Sequence, residues 1–187
     1  MALKPTIFKA HITLSDSDRN CFEELSLIVV QHPSETIERM TARLITYCLH
    51  SDRGLEFTRG LSTADEPDLW QRSDSGETLQ WIELGQPEES RLRKACGRAQ
   101  SVSVYAFGKS ADTWWKLNGT AISALPRLHV WQLPWIEVEQ ASRLISRTMK
   151  LGVSIVGGTI YLDDGSQSTT LEPVRLHSAD DISHQGH

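Results

Sequence analysis

The stretch ADEPDLWQRSDSGETLQWIELGQPEESRLRKACGRA, residues 64–99, decides how this chain folds. It divides into strand, tight turn, strand and helix. Asp74-Ser75-Gly76-Glu77 carries the reversal, because Asp and the Ser-Gly pair favour turn geometry. A turn centred between Ser75 and Gly76 sets Trp70 against Trp81 and Asp68 against Glu83. Directly opposed side chains on an antiparallel pair start roughly 5 Å apart. The two tryptophans at that spacing attract. The two carboxylates repel unless a cation or a shared proton lies between them.

The helix follows at once. Pro87 suits a first helical position, and Glu88 and Glu89 complement the helix dipole. Leu92, Ala95, Cys96 and Ala99 form its inner stripe. Arg91, Lys94 and Arg98 recur at i, i+3 and i+7 and form a second, basic stripe on an adjacent face. That face suits a phosphate backbone, and it equally suits bulk solvent. The apolar strand at Ser101–Phe107 then implies a right-handed crossover and a parallel pair at the sheet centre.

Outward from this core, Thr6–Leu14 and Cys21–Gln31 alternate as an antiparallel hairpin across Ser15–Asp18. His32-Pro33-Ser34-Glu35 opens a helix with Ile37, Met40, Leu44, Ile45, Cys48 and Leu49 inward, and Glu35 and Glu38 near its start. Leu55–Thr58 is a short strand and Arg59–Thr63 a loop. Pro67 then holds Asp68 extended at a sheet edge. Downstream, Ser110–Lys116 is helical, Arg127–Leu133 a strand, and Ile136–Lys150 a helix. Leu151–Val156 and Thr159–Leu162 make a hairpin about Gly157-Gly158, with Ser168–Leu171 beyond. From Glu172 onward the chain is polar without periodicity, so residues 173–187 are expected to form a disordered tail to a single domain over 1–172.

The composition excludes several classes. A net charge of −5 over 187 residues gives no molecule-wide field for nucleic acid, so any such contact must use a local basic face. Cys21, Cys48 and Cys96 lack paired spacing and read as reduced thiols rather than a zinc site or disulfide scaffold. No apolar run approaches the roughly 20 residues that span a bilayer. The start lacks the apolar core of a signal peptide. A cytoplasmic protein with no membrane partner is expected. Gly108-Lys109-Ser110 has no glycine-rich cradle before it and is not a phosphate loop.

Four segments carry a resemblance: HPSETIERM (His32–Met40), GLSTADEPDLWQRS (Gly60–Ser73), WIELGQPEESRLRKACGRA (Trp81–Ala99) and WWK (Trp114–Lys116). Together they resemble the YaeQ family over roughly Ile7–Leu171. That family is similar in fold to the PD-(D/E)XK nucleases. The resemblance implies an α/β, restriction-endonuclease-like core: a mixed β-sheet flanked by helices, with additional antiparallel hairpins at both ends of the chain. Pro67-Asp68 stands for the first acid of that motif and Glu83 for the second. The motif lysine belongs two residues after the second acid, where this chain has Gly85. Gln86, one residue further, and Lys94, on the next helix, are the substitutes the superfamily's variants suggest. Mg²⁺ or Mn²⁺ on Asp68 and Glu83 is implied, with the Leu84 carbonyl as a further ligand and Glu35 or Glu38 completing the acidic cluster. Arg91 and Arg98 would contact substrate.

Three functions fit these residues. One is a metal-dependent nuclease or phosphodiesterase. Another is a nuclease-like fold that binds nucleic acid or protein without cutting, since Gly85 replaces the lysine. The last is a protein-interaction role through exposed tryptophans, which requires Trp70 or Trp81 at the surface.

Overall fold

The computed structural model describes residues 3–59 and 65–184. Gly60–Thr63 of the expected loop lie outside the described residues. Its elements run β1 (Thr6–Asp16), β2 (Cys21–Gln31), α1 (Ile37–Leu49), β3 (Leu55–Phe57), β4 (Leu69–Arg72), β5 (Thr78–Leu84) and α2 (Glu89–Cys96). There follow β6 (Ala99–Ala106), α3 (Ala111–Ser123), β7 (Leu128–Gln132), α4 (Trp135–Ser142), β8 (Thr148–Val156), β9 (Thr159–Asp163), β10 (Ser168–Leu171) and β11 (Val174–Ser178). A 3₁₀ helix at Ala179–His184 ends the described chain. The chain is mixed α/β, with two mixed sheets flanked by helices. Where one domain over 1–172 is expected, it divides into two compact units: Met1–Ser51 with Pro134–Pro173, and Asp52–Leu133 with Val174–His187.

In the first unit the sheet order is β10-β9-β8-β1-β2. Strict alternation drives it: β1 buries Phe8, Ala10, Ile12 and Leu14, and β8 buries Met149, Leu151, Val153 and Ile155. The two expected hairpins are present, and β1 joins them by running parallel to β8. Asp18 links them again, its two carboxylate oxygens accepting the Gly157 and Gly158 N–H groups at 2.7 Å each. Helix α1 packs beside α4. The cap of α1 is Thr36, whose hydroxyl accepts the Arg39 N–H at 3.2 Å.

Glu35 therefore precedes the helix, and it is buried. The Arg43 guanidinium grips it through Nε to Oε1 at 2.7 Å and Nη2 to Oε2 at 2.8 Å. Arg39 adds a third donor at 3.1 Å. Another expectation that fails is the helix at Ile136–Lys150. Helix α4 stops at Ser142 and Thr148 already belongs to β8. The inward residues Leu144 and Met149 are buried as expected, but Met149 is buried from a strand.

In the second unit the order is β11-β7-β6-β5-β4-β3, with β5, β6 and β7 parallel to one another. The central hairpin has the expected register: Leu69 faces Ile82, Trp70 faces Trp81 and Gln71 faces Gln80. Its turn is built differently. Gly76 N–H returns to the Ser73 carbonyl at 2.9 Å with Gly76 at φ +88°, so the reversal centres on Ser75. A bulge between Gln71 and Arg72 then sets Arg72 against Thr78 and absorbs the one-residue difference. Helix α2 begins at Glu89, two residues after Pro87, and α3 runs on to Ser123 instead of ending near Lys116. Trp81, Leu92, Cys96, Val102, Val104, Trp114, Ile122 and Val130 share one core under these two helices.

The expected disordered tail is ordered through residue 178. Strand β11 pairs antiparallel with β7, and the His129 ring meets the Ser178 hydroxyl at 3.1 Å.

The buried Glu35–Arg43 pair predicts a large asymmetric cost. Arg43→Met leaves a buried carboxylate short of its bidentate partner and should lower stability to urea by about 3–5 kcal/mol. Arg39→Ala, which removes one longer contact, should cost about 1 kcal/mol or less. Equal losses from the two would show that Glu35 does not depend on the bidentate contact.

Candidate active site

Asp68 enters the site already fixed. Thr58 N–H donates to the Asp68 carbonyl at 3.2 Å, and the Thr58 hydroxyl donates to the Pro67 carbonyl. Asp68 N–H donates to the Ile82 carbonyl at 3.0 Å. The side chain then reaches across: its Oδ2 accepts the Leu84 N–H at 2.7 Å. So Asp68 is bonded to the peptide that follows Glu83. It is only 4% exposed and its strand is interior, with β3 beyond it at the sheet edge. The edge position expected from Pro67 is thus not its environment.

Glu83 is also 4% exposed. Residues two apart on a strand share a face. Trp81 accordingly points its indole Nε1–H at Glu83 Oε1, at 2.8 Å. Arg91, from the first turns of α2, donates Nε to the same oxygen at 2.8 Å. Among the described residues no donor reaches Glu83 Oε2. Burial pushes the Glu83 carboxyl above the ordinary carboxylate range, and the Asp68 charge adds to this. The Trp81 and Arg91 contacts pull the other way. The opposed carboxylates expected from the hairpin are therefore a real electrostatic problem, and Arg91 is the cation that answers it.

Arg91 has a second anchor, with Nη2 donating to the Glu66 carbonyl at 2.7 Å. It ties helix α2 to β5 and to the segment just before β4. Lys94 lies one turn along on the same helix face. Arg98 lies past the helix end and pairs at 3.5 Å with Asp65, both exposed. Arg91, Lys94 and Arg98 line one cavity of about 190 Å³ with Asp65, Trp81 and Ser90. The basic stripe read from the sequence is thus a single concave feature. Lys94 is exposed and makes no ion pair among the described residues.

The backbone explains the missing lysine. Gly85 has φ +96°, and its N–H donates to the Tyr105 carbonyl at 3.0 Å as β5 ends. An L side chain is strained at that φ. The turn delivers Gln86 to the loop after β6, where its Nε2 donates to the Phe107 carbonyl at 3.2 Å and lies 3.0 Å from the Ser110 hydroxyl. Gln86 positions that loop; its amide is already engaged.

Glu35 and Glu38 belong to the first unit, and Glu35 is taken by Arg43 and Arg39. Among the described residues no three His, Cys, Asp or Glu side chains gather as a metal site. Trp81 is 4% exposed, and Trp70 is half-buried with the Arg72 guanidinium 4.5 Å above its ring. The residues that sequence reasoning missed are Trp81 as a donor and Glu66 as an acceptor. The two-residue spacing of Trp81 and Glu83 on a strand was the available signal for the first.

Comparison with known proteins agrees across nearly the whole chain. The family model described as "YaeQ protein" matches residues 1–173. The chain is 40% identical over 173 residues to the uncharacterized protein YaeQ of Salmonella typhi, covering 92% of this chain and 96% of that one. It is 42% identical over 165 residues to its counterpart in Escherichia coli K12, covering 88% and 91%. The crystal structure of YaeQ protein from Xanthomonas axonopodis pv. citri superposes with a TM-score of 0.90 at 40% identity, over 94% of this chain and 99% of that one. The Pseudomonas syringae YaeQ structure gives 0.89 at 33% identity, over 93% and 97%.

Two outcomes follow from this geometry. A carboxyl whose folded-state pKa is raised favours folding while protonated, and that favour is lost as pH rises through the raised value. The stability of wild type minus that of Glu83→Gln should therefore fall as pH rises above the ordinary glutamate value of about 4.3, measured by urea unfolding. A flat difference would mean that burial does not dominate at Glu83. Restoring the motif lysine should fail: Gly85→Lys is expected to cost about 1–2 kcal/mol in the same assay.

Proposed function

The chain belongs to the YaeQ family, and we propose that it is a metal-dependent phosphodiester hydrolase acting on nucleic acid, built on a restriction-endonuclease-like second unit. The observation that carries this is the pair Asp68 and Glu83. Two carboxylates, each 4% exposed, sit at the ends of neighbouring strands, and Arg91 pairs with Glu83. Buried acids that close are unfavourable as structure, and such arrangements concentrate at functional sites.

The residues fit Mg²⁺ or Mn²⁺. These ions prefer oxygen donors and need only one or two protein carboxylates, with water and substrate phosphate completing the shell. Asp68 and Glu83 would hold the ion, and no third acid is required. When bound, it supplies a Lewis acid for a phosphoryl oxygen and a lowered pKa for the attacking water.

The chain's own residues do the rest. Trp81 and Arg91 hold Glu83 by one oxygen and leave the other facing the site. The Leu84 N–H orients Asp68. Lys94, which the backbone keeps off position 85, offers its ammonium from the helix to the charge that develops on the phosphate. Gln86 fixes the loop at the end of β6.

One observation favours a second function. Arg91 occupies Glu83 at 2.8 Å, as an internal cation would in a protein that binds nucleic acid through the basic cavity and does not cut. The burial of Trp81 counts against recognition of a partner through that side chain.

Titration of Mn²⁺ into the protein by calorimetry should show saturable binding that Asp68→Ala and Glu83→Ala each remove. Cleavage of single- and double-stranded DNA and RNA should stop with chelator and fall by roughly 100-fold or more in either variant, the effect of losing about 3 kcal/mol of transition-state stabilisation. Equal cleavage by wild type and Asp68→Ala would sink the hydrolase. Salt-sensitive binding of nucleic acid without turnover would establish the second function instead.

A further inference from the structure

The cavity beside the acidic pair has its own chemistry. Three cations line it, Arg91, Lys94 and Arg98, against the single carboxylate of Asp65. The Trp81 indole and the Ser90 hydroxyl complete the lining. Its volume is about 190 Å³. That is below the ~300 Å³ at which pockets begin to enclose drug-sized molecules. A small hollow lined by three cations suits a phosphate group.

The internal partners are weak where a ligand would need them to be. The Arg98–Asp65 pair spans 3.5 Å with side chains 52% and 86% exposed, so solvent and salt leave it little strength. Lys94 is exposed and has no ion-pair partner among the described residues. Only Arg91 is firmly engaged, and it faces both ways. Its Nε holds Glu83 while its side chain lines the cavity.

We propose that this cavity is a phosphate subsite that receives a phosphodiester group of the nucleic-acid strand next to the one at Asp68 and Glu83. Arg98 supplies its charge together with Lys94 and Arg91, the two residues it shares with the acidic pair. This rests on the hydrolase proposed above and adds to it a second point of contact on the strand. It also explains how a protein of net charge −5 meets a polyanion: the contact is made inside one small basic hollow rather than over a broad surface.

The test keeps metal out, so it does not depend on cleavage. In chelator at low salt, the thymidine dinucleotide with its one internal phosphodiester is titrated into the protein by calorimetry, alongside thymidine and inorganic phosphate. The dinucleotide should bind, inorganic phosphate should compete with it, and thymidine should show no binding. Lys94→Ala and Arg98→Ala should each weaken the dinucleotide tenfold or more, with unfolding curves unchanged because both side chains are exposed. Lys150→Ala, at an exposed cation of β8 that does not line the cavity, should keep dinucleotide binding within about twofold. Comparable binding of thymidine, or no effect of Lys94→Ala and Arg98→Ala, overturns the subsite. Binding of inorganic phosphate alone would also overturn it, and would mark a site for the free ion. Failure of the hydrolase reads differently: cleavage absent with Mn²⁺ while the dinucleotide still binds in a Lys94-dependent way.

Discussion

Burying Glu83 beside Asp68 is the constraint on which the second unit is organised. The Asp68 charge works against ionisation of Glu83, on top of the cost of burial. Within the hairpin the Trp81 indole N–H offsets part of that. The chain brings in Arg91 from the next element, and with it the whole of α2 must lie where its first turns reach the end of β5. Arg91 then holds the Glu66 carbonyl as well, so one guanidinium positions the helix, the strand and the entry to Asp68. The Trp81 indole and the Leu84 N–H complete the arrangement, and all of the named donors point at the two acids.

The displacement of the cation from position 85 follows from the same geometry. Strand β5 must end sharply, because Gln86 has to reach the loop of Phe107–Ser110 at the end of the parallel neighbour β6. The sharp end is Gly85 at φ +96°, and a lysine cannot occupy it without strain. A helix that starts four residues later offers another route for positive charge. Arg91 and Lys94 fall three apart, hence on one face, and a long side chain from that face can stand over the strand end. The cations near the end of β5 thus come from α2, as Arg91 and Lys94, and not from position 85.

What the sequence made legible was local or strongly patterned. The hairpin register came from a turn signal and two tryptophans, and it survived even though the turn centres on Ser75, because the bulge after Gln71 compensates. The basic stripe came from helical spacing. Pairings over long distance were not legible. Glu35 sits among cap-forming residues and reads as part of a first turn, while its partner Arg43 is eight residues on and identifiable only once the helix is placed. Leu144, Ile145 and Met149 fit a 3.6-residue period, yet Met149 alternates with Leu151, Val153 and Ile155 in β8, and the parallel bond to β1 decides between the two. Strand β11, VRLHS, is too short and polar to announce itself; its order comes from β7, which it pairs with from far along the chain.

The arrangement around Arg91 carries a thermodynamic consequence. The guanidinium serves Glu83 on one side and lines the basic cavity on the other. A cation bound at Glu83 relieves that carboxylate's need for Arg91, and an anion bound in the cavity draws Arg91 toward itself. Each event lowers the free energy of the other, and linkage makes the effect equal in both directions. In the hydrolase we propose, the site would therefore hold metal more tightly with phosphate present than without it. Two carboxylates would then be enough, because the substrate would provide the remaining oxygen ligands and the reason for Arg91 to yield.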